Sequence, residues 1–464
     1  MKDTHLITTF LSLSKSERRA FKNWVMSPFF NQREDVVLLF QYLNQHVPTG
    51  PGKVNEADLE KTKVYPHVFP DAAQQYDDAA MRYVMSFLFQ CLKQYLAYTQ
   101  WTTDEFESGR LLCRALQRRN LGTVFEKEYD ALSTRIAGTR LRSVDFFFHQ
   151  YHLHMERWEV FHRTSRSGTE IMLLAENARD AFIASETLRS ACAVLARHGT
   201  QQLNSLYLQP TLSGIESGMF RDHPAVLAYY YCYLILENKS DQVAGHFLRL
   251  RGLITSHWEI FPPNEIRDLY IGAINFCIRQ LNSGDKQYIR EALDLYRSGL
   301  DRKVILEDGF INKYTYNNIM LLALASEEAK WALEFLETYK SFLPPRDRDN
   351  AWRYNLATYY FRNKDYNMAQ EILREVEFKD TFYNLDARRM LVRIYMDTGE
   401  TFALDSLLDS FNIYLQRKRS TLGYHKELNQ NFIRFVKNIL QLRHADPAAK
   451  ASLREKITSV KYVA

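Results

Sequence analysis

The chain has little of what usually gives a secreted, membrane or catalytic protein away. Its five cysteines, Cys91, Cys113, Cys192, Cys232 and Cys277, are odd in number, far apart and never in C-x-x-C spacing. That usage argues against a disulfide framework and against a thiolate zinc site, and it fits a reducing cytoplasm, the location expected here. Glycine (17) and proline (12) are scarce in 464 residues. Few breakers beside abundant Leu, Ala, Glu, Arg and Lys favour helix over sheet. No run of about 18 apolar residues occurs, so no membrane span is predicted and no membrane partner is expected. The opening MKDTHLITTFLSLSKSERR is interrupted by Asp3 and His5 and lacks a small-residue cleavage site, so it does not read as a signal peptide.

Reaction motifs are missing too. There is no G-x-S-x-G, no Walker A, no G-x-G-x-x-G after a strand and no kinase set. In VPTGPGK (47–53) the first glycine of a phosphate loop is absent and no Ser or Thr follows Lys53, so this is a turn-rich loop. The expected protein is therefore not an enzyme and needs no cofactor. A Ser/His or Cys/His pair that meets only in space would leave no such trace.

What is present is ordinary ordered composition, 46% apolar and 25% charged, with a surplus of rings in 28 Tyr and 29 Phe. Such rings fill the space between helices or line a groove. The charge is uneven. Residues 411–464 hold eleven Lys/Arg against three acids, a balance of +8, whereas the whole chain is +5 and residues 1–410 therefore carry −3. The basic character sits in the tail, which is a statement about partners rather than fold.

Local signals give several elements. Ser14 and Glu17 have capping-box spacing, and a helix from about Lys15 to Met26 ends where Ser27-Pro28 forbids helical geometry. Asn31, with Glu34 three residues on, is predicted to cap the next helix. From Tyr76 to Leu96, residues Ala80, Tyr83, Val84, Phe87, Leu88, Cys91, Leu92, Tyr95 and Leu96 recur at three- and four-residue steps and predict one broad buried face.

The C-terminal half repeats. Ile319, Ala332 and Leu336 share offsets with Leu356, Ala369 and Leu373, and with Leu391, Leu404 and Leu408, at periods of 37 and 35 residues. Each unit is helix, short polar turn (Ser326-Glu327; Asn363-Lys364-Asp365; Thr398-Gly399-Glu400) and helix. A hairpin of this size cannot bury its apolar face alone, so it stacks on the next. Looser pairs lie at 110–132, 225–250 and 266–300, the last with a longer turn at Leu281-Asn282-Ser283-Gly284-Asp285.

Through Leu356, Ala357, Tyr360, Ala369 and Leu373, and Leu391, Tyr395 and Leu408, the repeats resemble the tetratricopeptide (TPR) repeat. The glycine after the leucine is replaced by Ala357 or Val392, and the closing proline is missing. Through Ser27-Pro28-Phe29-Phe30-Asn31, Tyr65-Pro66-His67-Val68-Phe69-Pro70 and Tyr316-Asn317-Asn318-Ile319, the chain also resembles a family of uncharacterised helical bacterial proteins. These resemblances imply an all-α fold: a right-handed α-α superhelix, or TPR-like solenoid, with an N-terminal helical region. The expected divisions are an N-terminal region 1–105, divergent hairpins 106–310, TPR-like repeats 311–415 and basic capping helices 416–464.

Three candidate sites follow. By resemblance, the concave groove would present Asn317 and Leu321, then Tyr354, Thr358 and Phe361, then Arg389 and Arg393 to a protein or peptide partner. The two arginines, four apart, share a helix face and could hold a carboxylate, or they are solvated or pair with Asp386 or Asp397. His149, His152 and Glu156 in FFFHQYHLHMERWEVFH share a helix face; they either bind a metal or pack among Phe146, Phe147, Phe148, Tyr151 and Trp158. The tail helix 424–443 places Leu428, Phe432, Phe435, Val436, Ile439 and Leu440 on one side. It caps the array with a polar outer face or contacts nucleic-acid phosphates through Lys426, Arg434, Lys437 and Arg443.

Overall fold

A computed structural model describes residues 1–49, 55–70, 75–164, 169–198, 205–239, 241–375, 380–418, 422–442 and 447–460. Among these the chain is all-α, with twenty-two α-helices and no β-strand beyond one isolated bridge between Glu307 and Phe310. The glycines of the loop VPTGPGK lie outside the described residues. The helices fall into two units, Met1–Thr139 with Asp145–Phe182, and Arg140–Val144 with Ile183–Ala464. The sequence-based divisions at 105, 310 and 415 fall inside these units.

The first unit contains α1 (His5–Ser12), α2 (Lys15–Met26), α3 (Glu34–His46), α4 (Lys61–Val68), α5 (Asp78–Thr103), α6 (Glu105–Arg118), α7 (Gly122–Gly138), nearly all of α8 (Val144–Thr164) and the first half of α9 (Thr169–His198). Helix α2 has the predicted bounds. Its capping box is complete, with the Ser14 N–H donating to Glu17 at 2.7 Å and the Glu17 N–H to Ser14 Oγ at 3.3 Å. Asn31 does not cap α3. The N-cap residue is Arg33, and the Asn31 amide instead donates to the Val25 and Arg33 carbonyls at 2.9 and 3.0 Å. An asparagine two residues outside the cap is too far to reach the helix N–H groups but well placed to brace the incoming loop.

Helix α5 is the spine of a core that runs from Leu6 to Tyr95. It buries Met81, Val84, Met85, Leu88, Cys91, Leu92 and Tyr95. Tyr83 and Phe87, predicted to share that face, are exposed at 56% and 37%. The buried stripe is shifted toward Met81 and Met85, and the two displaced rings pack under the Arg33 guanidinium at 5.0 and 4.5 Å.

The second unit continues with α10 (Leu208–Glu216) and five hairpins: α11 (Pro224–Glu237) with α12 (Val243–Ser256), α13 (Pro263–Asn282) with α14 (Tyr288–Asp301), α15 (Lys313–Ala325) with α16 (Ala329–Thr338), α17 (Arg348–Arg362) with α18 (Tyr366–Glu375), and α19 (Thr381–Thr398) with α20 (Thr401–Arg417). Then come α21 (Tyr424–Gln441) and α22 (Pro447–Ser459). The second helix of each hairpin packs on the first helix of the next, and α20 packs on α21. A single core from Ala184 to Val436 results. Ile319, Ala332, Leu336, Ala369, Leu373, Leu391, Leu404 and Leu408 are all buried in it, while Leu356 is half-buried.

One turn closes each hairpin. Asn238, Gly284, Glu327, Lys364 and Gly399 all take a left-handed backbone, at φ of 54, 100, 62, 62 and 78°. After the last four, the next N–H reaches back five residues: Asp285 to Gln280, Glu328 to Ala323, Asp365 to Tyr360 and Glu400 to Tyr395, at 2.9 to 3.1 Å. This is the Schellman closure, which satisfies carbonyls the helix end would otherwise leave bare. The α13 turn is tighter than its sequence implied, because Leu281 and Asn282 remain helical.

Candidate functional site

The groove residues expected from the repeats are partly brought together and partly turned inward. Tyr354 is only 8% exposed; its ring stacks on Tyr383 with centroids 4.2 Å apart, and its hydroxyl donates to Asp386 at 3.1 Å. Thr358 is buried one turn on, its hydroxyl donating to the Tyr354 carbonyl at 2.8 Å and facing Met390 Sδ at 3.7 Å. These two positions face α19 because α17 and α19 pack directly, so they join two repeats rather than present themselves to a partner. Arg389 pairs with Asp386, which leaves Asp386 shared between the guanidinium and the Tyr354 phenol. Arg393 is exposed and pairs with no described acid. Phe361 is half-buried against Tyr366 at 6.0 Å, and the Tyr366 hydroxyl donates to the Asp397 carboxylate at 2.8 Å. Asn317 is half-buried, and its side-chain oxygen has no hydrogen-bond partner among the described residues.

Open space lies earlier in the array. A cavity of about 610 Å³ opens between the end of α9, α11 and α13. Asn264, Asp268, Ile271, Asn275 and Arg279 line it at four- and three-residue steps, so a single face of α13 forms one wall. Its floor includes Cys192, Cys232 and Gly272. The approach is close there, since a Cβ on residue 272 would stand 3.0 Å from Cys232 Sγ. Buried Tyr229 donates to buried Glu265 at 2.6 Å, and burial followed by the adjacent carboxylate pushes its phenol well above the ordinary range. Arg279 donates to the Ile235 carbonyl at 2.7 Å, which ties α13 to the end of α11. The Asn264 and Asn275 amides stand at the surface of this wall.

A second hollow of about 770 Å³ lies one hairpin on, between the ends of α13, α15 and α17. Ile278, Leu281, Leu321 and Leu324 line it, with Asn318 and Arg362 among its polar groups. Of the predicted groove residues, Leu321 lines this hollow. The α13 wall escaped the sequence reading. Asn264, Asp268, Asn275 and Arg279 at helical steps read as an ordinary solvated face, so no signal in the sequence singled them out.

The other two candidates resolve differently. Glu156 is 2% exposed and receives Arg110 at 2.9 Å and Arg114 at 2.5 Å, while His149 stacks on Phe106. The carboxylate that would have completed a metal triad is thus held by two guanidinium groups, and among the described residues no group of three ligands could hold a metal. In the tail, α21 buries Ile433, Phe435 and Val436, and Lys437 pairs with Asp409 at 2.8 Å. Ile439 is 39% exposed and faces α22 across an apolar cleft with Leu442, Leu453 and Ile457. Arg419, Arg443 and Lys461 lie outside the described residues.

No protein-family model, curated protein or solved structure matches the chain, so the geometry alone carries the functional reading.

Proposed function

We propose that this chain is a non-enzymatic helical-repeat protein that serves as an interaction scaffold. Its second unit would form a right-handed, TPR-like superhelix, and an extended partner segment would lie along its first helices. The observation that carries this reading is the pair of neighbouring clefts along the array, one between α9, α11 and α13 and one between the ends of α13, α15 and α17. Each mixes apolar and polar lining, Leu269 and Ile271 beside Asn275 in the first and Ile278 and Leu321 beside Asn318 in the second, the combination by which binding clefts anchor and orient what they hold. A carboxamide offers one donor and one acceptor group, so Asn264 and Asn275 suit the backbone of a bound segment. Ile271 and Leu321 supply apolar contact beside them. The five buried thiols suit the reducing cytoplasm expected from the sequence.

Site-specific photo-crosslinking in the native cell, with nuclease added at lysis, tests the reading. A crosslinker at Ile271 or Leu321 should trap a defined protein segment, and one at Leu248 on α12 should not. Equal trapping from Leu248, or none from either cleft, would reject the groove.

A second reading assigns nucleic acid to the tail. It rests on the exposed Lys450, Arg454 and Lys456 of α22, with Glu455 as the acid among them. Phosphate binding would weaken steeply with salt, whereas an apolar peptide groove would respond weakly.

A further inference from the structure

The cleft between α21 and α22 is an apolar hollow with cations in its own wall. Its volume is about 550 Å³. Lys450, Leu453, Arg454 and Ile457 line it from α22 at i, i+3, i+4 and i+7, so one helix face supplies both apolar contact and charge. Ile439 and Leu442, one turn apart, face them from α21. Leu453 is buried, Leu442 and Ile457 are half-buried, and Ile439 is 39% exposed, so the cleft is open along the α21 side.

The lining selects the occupant. Neither Lys450 nor Arg454 pairs with a described acid, and Glu455, the neighbouring acid on α22, does not line the cleft. Thr458, the remaining polar residue of the wall, donates its hydroxyl back to the Arg454 and Glu455 carbonyls at 3.1 and 2.9 Å. The charge that this wall can receive is therefore negative. Unlike the α13 wall, it holds no carboxamide and no carboxylate. An extended segment laid there would leave most of its N–H groups without a side-chain acceptor, whereas a helix bonds its own backbone and offers a ridge of side chains to a groove between helices. The wall has no aromatic ring on which a nucleobase could stack. A bare phosphate chain would leave the aliphatic side chains in water. A second copy laid face to face would set Lys450 and Arg454 against cations like themselves.

We propose that the α21–α22 cleft docks a short acidic amphipathic helix of a partner protein. Its aliphatic ridge would fill the space between Ile439, Leu442, Leu453 and Ile457, and its carboxylates would meet Lys450 and Arg454. The assignment does not depend on the clefts along α11 to α17.

The test uses the full chain and a displayed library of helical peptides about 15 residues long, with leucines at i, i+3, i+4 and i+7 and graded net charge. Acidic members should be enriched on the wild type. On the double variant Lys450→Glu, Arg454→Glu the best of them should lose about tenfold or more in affinity, and basic members should be enriched in their place. Both side chains are exposed, so this variant should melt as the wild type does. Ile439→Ser should weaken the same peptide by about fivefold or more. Lys456→Glu, on α22 but outside the cleft wall, should change affinity by no more than about twofold, which separates the cleft from the general charge of the tail. No enrichment, enrichment that ignores peptide charge, binding that survives the double variant, or an equal loss on Lys456→Glu would overturn the proposal. So would Ile439-dependent binding of oleate, of a uridine oligomer or of a second copy of the chain in place of acidic peptides.

Discussion

The two units are both helical but close their cores by different means. In the first, distant segments meet. The Met1 amino group donates to the Leu59 carbonyl at 2.7 Å, and the Tyr95 hydroxyl reaches the Glu17 carbonyl, 78 residues away, at 3.2 Å. Arg18, 3% exposed, sits inside that core and donates to the Val47, Pro48 and Phe10 carbonyls. In the second unit each hairpin packs on its neighbour in the chain, and the same left-handed turn recurs. A nearest-neighbour stack asks only for a few apolar positions and one backbone conformation per repeat. Its sequence can therefore drift, which is why the left-handed position holds Asn, Glu and Lys as well as Gly. A core built from distant segments tolerates less, because one lost member loosens all the others.

The largest expected effect comes from Leu373→Asp, which places a charge without a partner at a site 5% exposed. It should cost about 4 kcal/mol or more. Hydrogen exchange should quicken across α17 to α20 and leave α1 to α5 protected. Loss of protection in both units together would break the contrast, and an unchanged melt would remove the repeat packing itself.

Arg18→Met should cost about 2–3 kcal/mol, since three carbonyls lose their donor. Here exchange should rise over α1 to α5 as one block. A rise confined to α2 would show that the first unit is as locally built as the second.

The turns permit a finer test, read by denaturant midpoint. Gly399→Ala should destabilise by about 1 kcal/mol, because φ of 78° strains any side chain even though no atom lies within 4 Å of the new Cβ. Lys364→Gly, at the equivalent position and φ of 62°, should stabilise by up to about 1 kcal/mol. Effects of the same sign would mean that the two turns are not equivalent.

The smallest effect is expected from Arg389→Ala combined with Arg393→Ala. The Arg389–Asp386 pair is about a third exposed on both sides, so folding should change by no more than about 1 kcal/mol. A groove partner located by crosslinking should bind more weakly. Equal affinity for the double variant and the wild type would take both arginines out of the groove.

Much of the helical framework was legible from spacing. The bounds of α2 followed from a capping box and a Ser-Pro stop, both of which act within a few residues. The repeat positions from Ile319 to Leu408 followed from recurrence, since an apolar residue at the same offset in three hairpins meets the same neighbours. The candidate site was much less legible. Periodicity places residues on a face without saying what covers it. Tyr354 and Thr358 were expected to look outward and instead join α17 to α19. Tyr83 and Phe87 were expected inside and stand outside under Arg33. The α13 wall gave no motif at all, since exposed Asn and Asp on a helix look the same whether they face solvent or line a cleft.

The sequence by itself determined that the chain is helical, where several helices start and stop, and which leucines and alanines recur in its hairpins. These are local properties, set by backbone conformation, capping and period. Only the tertiary structure decided which faces are covered. It committed Glu156 to Arg110 and Arg114 and buried Tyr354 against Tyr383. It left Asn264 and Asn275 on an open wall and set Lys450 and Arg454 beside an apolar cleft. Those outcomes depend on which helices lie alongside, and a helix face carries no record of its neighbour until the two have packed.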